Sequence, residues 1–252
     1  MVSISVAYWY PSVMFAPFKV LTVRADKRAQ VVDISSFPPV VTDVANLNYD
    51  RIWGNATVLP DGKILVTGGS GVINELTNVA YQSEIFDPAI GTWTLGASAS
   101  IPRLYHSATL LLPDGSVLTG GGGAAGPVSE LNGEIYYPAY LYAQDGSGNP
   151  APRPQIVSAP STLQLNQNFS VTVGSNDQII FVDLVRVGSN THSFNPEQRL
   201  IPLPFSQTGA TITAMLNSPP EIVPPGYYML FVFNSSGVPA VATIVSVLQA
   251  VQ

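Results

Sequence analysis

Short apolar or alternating runs, each closed by Gly, Pro, Asn or Asp, follow one another along this chain and leave no room for a large helical domain. The clearest unit is Ala56-Thr57-Val58-Leu59-Pro60-Asp61-Gly62-Lys63-Ile64-Leu65-Val66-Thr67-Gly68-Gly69. It returns as Ala108-Thr109-Leu110-Leu111-Leu112-Pro113-Asp114-Gly115-Ser116-Val117-Leu118-Thr119-Gly120-Gly121, with one residue inserted before the turn, so that Pro60 and Pro113 stand 53 positions apart. Each copy reads as a strand, a Pro-Asp-Gly turn, a second strand and a glycine pair, the chemistry of a tight hairpin. A further strand follows each copy, Glu84-Ile85-Phe86-Asp87-Pro88 and Glu134-Ile135-Tyr136-Tyr137-Pro138, and Trp93 sits where an outer strand closes the first unit.

A period near 50 with four strands and a diglycine is the signature of a kelch-type propeller blade. A weaker copy precedes the two clear ones, from Val13-Met14-Phe15 through Lys19–Val23 to Ala29–Asp33, its glycines lost. Two clear blades and one partial one do not close a ring of roughly four to eight. The expectation is therefore the C-terminal piece of a longer protein, or blade edges that pair with something else. Asp145–Pro150 and the proline-rich Pro150–Pro154 read as a turn and a stiff linker. Beyond it, apolar or alternating runs at Thr162–Leu165, Phe169–Val173, Ile179–Val187, Ala210–Leu216, Tyr227–Phe233 and Ala240–Val247 predict an immunoglobulin-like sandwich. The predicted fold is thus all-β, with propeller blades over residues 1–148 and a β-sandwich over residues 149–252.

Charge changes the picture by exclusion. Asp, Glu, Lys and Arg make up only 10% of the 252 residues and the net charge is −6, so no basic surface is available for nucleic acid. Cysteine is absent, which removes disulfides, thiolate metal sites and a cysteine nucleophile. The uncharged opening from Met1 to Phe18 is broken by Pro11 and Pro17, lacks a basic start and alternates over Val2–Val6, which predicts a strand rather than a signal peptide. No run reaches the roughly 20 apolar residues of a membrane helix, and a soluble chain that begins inside a domain is expected.

The two clear blades differ at one place: Arg51-Ile52-Trp53-Gly54-Asn55 aligns with Arg103-Leu104-Tyr105-His106-Ser107. The chain has two histidines, His106 in the second of these segments and His192 in Asn190-Thr191-His192-Ser193-Phe194. Two imidazoles and a phenol brought together suit Cu(II), which favours N and O ligands in tetragonal geometry. Spacing alone leaves the other reading open, in which His106 is a hydrogen-bonded interior residue. Arg51, Arg103 and Arg199 read as structural ion-pair partners before substrate clamps, and Gly120–Gly123, with no Lys-Ser/Thr or helix after it, as a hairpin exit rather than a phosphate cradle. Asn55, Asn168 and Asn234 open Asn-X-Ser/Thr sequons, acceptors of sugar in a secreted eukaryotic protein.

Arg103–Gly115 with the glycines after it, then Glu134–Tyr142 with the Arg-Pro linker, resembles the galactose oxidase and glyoxal oxidase family of copper-radical oxidases, and so does the tail Pro225–Pro239. The resemblance runs in family order from about Arg51 to the C-terminus. It implies a seven-bladed propeller followed by an early-set immunoglobulin-like domain that sends a loop into the propeller channel. It implies Tyr105 as axial copper ligand and proton acceptor, His106 as equatorial ligand, and His192, with Gln198-Arg199 downstream, as the histidine of the intruding loop. It implies oxidation of a primary alcohol or aldehyde, or a carbohydrate carrying one, with reduction of oxygen to hydrogen peroxide, in a protein commonly secreted. The family's second tyrosine ligand, linked to a cysteine, has no counterpart here, so the chain alone is expected to lack the radical cofactor and to need the missing N-terminal blades. The competing reading is a non-catalytic kelch and sandwich module that binds carbohydrate or a protein partner.

Overall fold

The computed structural model describes residues 9–174 and 177–248; the alternation over Val2–Val6 lies outside them. Within the described residues the regular structure is strand throughout, apart from one 3-10 turn at Ala139–Leu141. The chain divides into two compact units, one of residues 1–111, 117–136 and 188–199, the other of residues 112–116, 137–187 and 200–252.

Three blade-type sheets build the first unit. The first is an antiparallel meander of β1 (Ser12–Ala16), β2 (Lys19–Val23), β3 (Ala29–Asp33) and β4 (Val40–Val44). The weak copy thus supplies all four strands of a blade, and residues 194–195 add a fifth strand at its β1 edge. Strand β4 carries no readable alternation because nearly all of it is exposed. The second sheet runs β5 (Asn55–Val58), β6 (Ile64–Thr67), β7 (Gln82–Asp87) and β8 (Thr92–Ser98), the last holding Trp93. The third has three strands, β9 (Ala108–Leu111), β10 (Val117–Gly120) and β11 (Gly133–Tyr136).

Every residue of β5 and β6 is buried, and burial of the Val, Leu and Ile side chains there contributes on the order of 1.5–3 kcal/mol each. Polar residues on the same strands fix the fit between sheets. Asn55 Nδ2 donates to Ser107 Oγ at 2.8 Å and Thr67 meets Thr109 hydroxyl to hydroxyl at 3.1 Å. The repeat also explains the arginines. Arg51, fully buried, donates to Glu84 at 2.7 Å, to the Gly68 carbonyl at 3.1 Å and to the Gln82 carbonyl at 2.6 Å. Arg103 repeats this with Glu134 at 3.3 Å and the Gly121 and Asn132 carbonyls at 3.1 Å. Both guanidinium groups tie a diglycine exit to the strand that follows. Gly68 itself has φ +64°, and a Cβ there would stand 2.6 Å from the Arg103 carbonyl oxygen, so only glycine permits this approach between sheets.

The second unit is a sandwich of two sheets. Its strands are β12 (Ile156–Ser158), β13 (Thr162–Gln164), β14 (Gln167–Val173) and β15 (Ile179–Arg186). After β16 (Phe194–Asn195), which belongs to the first unit, come β17 (Leu200–Pro202), β18 (Phe205–Thr208), β19 (Thr211–Leu216), β20 (Gly226–Asn234) and β21 (Thr243–Leu248). One sheet is ordered β12-β14-β19-β18 and the other β13-β21-β20-β15-β17. Val171, Val182, Leu184, Ile212, Leu216, Leu230, Val232 and Val245 close the core between them with no exposed surface. Tyr228, buried to its ring, donates its hydroxyl to the Pro224 carbonyl at 2.7 Å, as the tyrosine corner of such sandwiches does.

Candidate metal centre

Tyr105, His106 and His192 all lie in the first unit and come together there. Tyr105 and His106 sit on the turn that enters β9. That turn is closed by a bond from the Ser107 N–H to the Leu104 carbonyl at 2.9 Å, and the Gly123 N–H donates to the Tyr105 carbonyl at 2.7 Å. His106 has φ +64°, a left-handed backbone that turns its ring from the strand direction. The glycine run that leaves the third sheet, Gly120–Gly123, thus has a purpose the repeat alone did not disclose: through Gly123 it holds the backbone of Tyr105.

His192 arrives on a two-residue hairpin. Thr191 and Phe194 exchange both backbone hydrogen bonds at 2.9 Å, and His192 and Ser193 occupy the two central positions with φ +52° and +68°. These are type I′ positions that Asn-Gly fills at least cost, so placing His-Ser there stores local strain. Three contacts hold the loop in place. The Ser12 N–H donates to the Ser193 carbonyl at 3.0 Å, and β16 pairs in parallel with β1 through Ser12↔Phe194 and Val13↔Asn195. Gln198, with no exposed surface, accepts from the Val58 N–H at 2.8 Å and donates to the Val58 carbonyl at 2.9 Å, so its amide serves β5 as a neighbouring strand would. Asn195 donates in turn to the Gln198 side-chain oxygen at 2.9 Å.

The Nε2 atoms of His106 and His192 stand 3.1 Å apart, and the Tyr105 hydroxyl is 3.4 Å from Nε2 of His192. Neighbouring ligands at about 2 Å from one ion and at a right angle lie roughly 2.8 Å apart. The observed separations are those of adjacent ligand corners opened slightly, and two imidazole nitrogens with a phenol oxygen form the N/O donor set that Cu(II) takes. The residues present fit such an ion. Thr191 Oγ1 lies 2.7 Å from Nδ1 of His192; accepting a proton held there leaves the Nε2 lone pair free for a ligand. Both histidines are exposed and Tyr105 is half-buried, so the donors face solvent.

Trp53, the counterpart of Tyr105 in the previous sheet, covers the other side. Its ring lies 4.5 Å from that of Tyr105 and 6.4 Å from that of His192, centroid to centroid, while Tyr105 stacks on His106 at 3.7 Å. Trp53 also has a positive φ, +62°, rare for a bulky side chain. The repeat alignment that pairs Trp53 with Tyr105 was the signal for this contact. Gln198 offered none of comparable strength, because its partner, Val58, is 140 positions away, and Asn195 serves the loop through Gln198.

Blade-type sheets and a sandwich in one chain, with a Tyr-His pair facing a histidine hairpin, define the class: an all-β protein with a candidate metal centre on its blade-type unit. Residues 153–247 match the family described as galactose oxidase-like, early set domain. Galactose oxidase of Gibberella zeae is 37% identical over 217 residues, which cover 84% of this chain and 32% of that protein. Aldehyde oxidase GLOX of Vitis pseudoreticulata is 31% identical over 233 residues, 83% of this chain and 43% of that protein. A fungal alcohol oxidase of the AA5 family, solved in complex with copper, superposes with a TM-score of 0.87 at 31% identity, covering 96% of this chain and 54% of that one. The chain belongs to the galactose oxidase and glyoxal oxidase family and matches its C-terminal portion. It spans about a third of the length of the galactose oxidases it matches.

Proposed function

We propose that this chain supplies three protein ligands, Tyr105, His106 and His192, to the copper centre of an oxidase that converts a primary alcohol or aldehyde to the next oxidation state. The reading rests on one observation, the convergence of these side chains at 3.1 and 3.4 Å on a strained hairpin and a blade turn. Copper, when bound, supplies one-electron redox chemistry and a site for oxygen. For an alcohol the balance is that carbon loses two electrons and two protons, and O2 gains both pairs to become H2O2. The two imidazoles would hold the ion through Nε2. The phenol oxygen of Tyr105 would accept the hydroxyl proton of the substrate, and its position within reach of both His192 and solvent supports that role. Trp53 would keep one side of the site dry. The part of the protein outside this chain would complete the ligand set, because the chain has no cysteine from which a cysteine–tyrosine link could form. We place the start of the sandwich domain proper at residue 149, with residues 137–148 before it belonging to the same compact unit, and the mature protein outside the cell.

Titration of the purified chain with copper(II), followed by electron paramagnetic resonance, tests the reading. One tight equivalent with nitrogen hyperfine structure is expected, lost in His192→Ala and in His106→Ala. Binding that is weak, of variable stoichiometry or unchanged in both variants would overturn it and leave a blade-and-sandwich module whose role is binding.

A further inference from the structure

The three sequons have very different surroundings. Asn55 is 1% exposed in β5, with its amide nitrogen turned onto Ser107. A sugar on that nitrogen would have to part β5 from β9. Asn234 closes β20 at a tight turn: its oxygen accepts from the backbone N–H of Ser236 at 3.1 Å and of Val238 at 3.0 Å, and its nitrogen donates to the Pro152 carbonyl at 3.2 Å. Modification there acts on an amide already used to hold the turn.

Asn168 differs from both. In β14 the alternation sends Phe169, Val171 and Val173 inward, which leaves Asn168 and Ser170, the first and last residues of the sequon, on the outer face. Asn168 is exposed. On the same face of the sheet Ser206, Thr208, Thr211 and Thr213 are all exposed, a run of hydroxyls without a charge. A face of this kind has little charge to keep it hydrated, in a chain with 10% charged residues overall.

We propose that Asn168 is an N-glycosylation site of the secreted protein, and that Asn55 and Asn234 stay unmodified in the folded chain. The glycan would stand on the outer face of the sandwich and supply the hydration that charge supplies elsewhere. The inference rests on export through a eukaryotic secretory pathway and not on copper chemistry, so it stands or falls separately from the metal-centre reading.

The test is expression of the full chain behind a secretion leader in yeast, with endoglycosidase digestion and peptide mapping of the soluble product. If little chain is exported, the protease-resistant chain from translation into microsomes is mapped instead. One glycosidase-sensitive mobility step is expected, lost in Asn168→Gln and in Ser170→Ala, which removes the acceptor motif while keeping Asn168. The step should persist in Asn234→Gln. Folded protein with Asn168 bare, or with sugar on Asn55 or Asn234, would overturn the assignment.

Discussion

At the scale of single residues, the site depends on Gln198 as much as on its ligands. The Gln198 amide satisfies a buried N–H and a buried carbonyl of Val58 while fixing the end of the loop that carries His192. Gln198→Ala leaves both backbone groups without a partner, and each such group costs roughly 1–3 kcal/mol. Water entering the space made by the truncation offsets part of this, so we expect a loss of about 2–4 kcal/mol in denaturant unfolding. Copper affinity should fall as well, because the hairpin then loses its anchor on β5. A Gln198→Ala protein that unfolds at the wild-type midpoint would show that the amide pair contributes nothing. Thr191→Val probes the other side of His192. It keeps the shape of the side chain but removes the oxygen at Nδ1, and loss of such a partner typically weakens metal binding by roughly 10–100-fold. Copper titration against Thr191→Ser, which keeps the oxygen, separates this effect from packing.

Among the elements, the repeated Arg–Glu pair offers a controlled comparison. Arg51 and Glu84 have fully buried side chains, whereas Glu134, the partner of Arg103, is 24% exposed. Burial pulls the Arg51 guanidinium below its ordinary value, and Glu84 opposes that shift. Removing one partner of a buried pair leaves an uncompensated charge and costs on the order of 3–5 kcal/mol; Arg103 is itself buried, but water that reaches the 24%-exposed Glu134 side offsets more of that cost in the second pair. Glu84→Gln should therefore move the unfolding midpoint further than Glu134→Gln, and equal shifts would refute the argument. The same elements show what the sequence discloses. Hairpins β5–β6 and β9–β10 were legible because Pro-Asp-Gly fixes a turn between apolar strands. The strands β4, β12, β17 and β18 were not, being either mostly exposed or three to four residues long, with too little alternation to read. β16 pairs with a strand some 180 positions away, and no local pattern encodes that. For the same reason spacing left His106 and His192 apart. Their approach was expected only from resemblance, and the structure supplies the distance.

For the whole molecule, low charge makes pH the sensitive variable. The net charge of −6 at pH 7 reaches zero near the sequence pI of about 4.7. Few charges then separate chains that expose Phe37 at 84%, Leu131 at 95% and Ile90 at 71%, so association is expected to peak close to that pH. Unfolding should come later on the same acid path. Burial alone would raise the carboxyl of Glu134, but hydrogen bonds from the Ser100 N–H and hydroxyl, together with the Arg103 guanidinium, hold it below its usual value. Asp33 is held low by the Ser35 hydroxyl and N–H, and Asp145 by those of Ser147. A group whose folded pKa is depressed binds fewer protons in the folded state than in the unfolded one. The stability it contributes is complete above its unfolded value and is lost as pH falls through the folded value. The loss therefore falls below the ordinary carboxylate range, under about pH 4. Light scattering and circular dichroism followed from pH 7 to pH 2 should show scattering rise first, near pH 4.7, and native signal fall only afterwards. Native signal lost above pH 5, before scattering begins, would mean that other titrating groups govern acid stability.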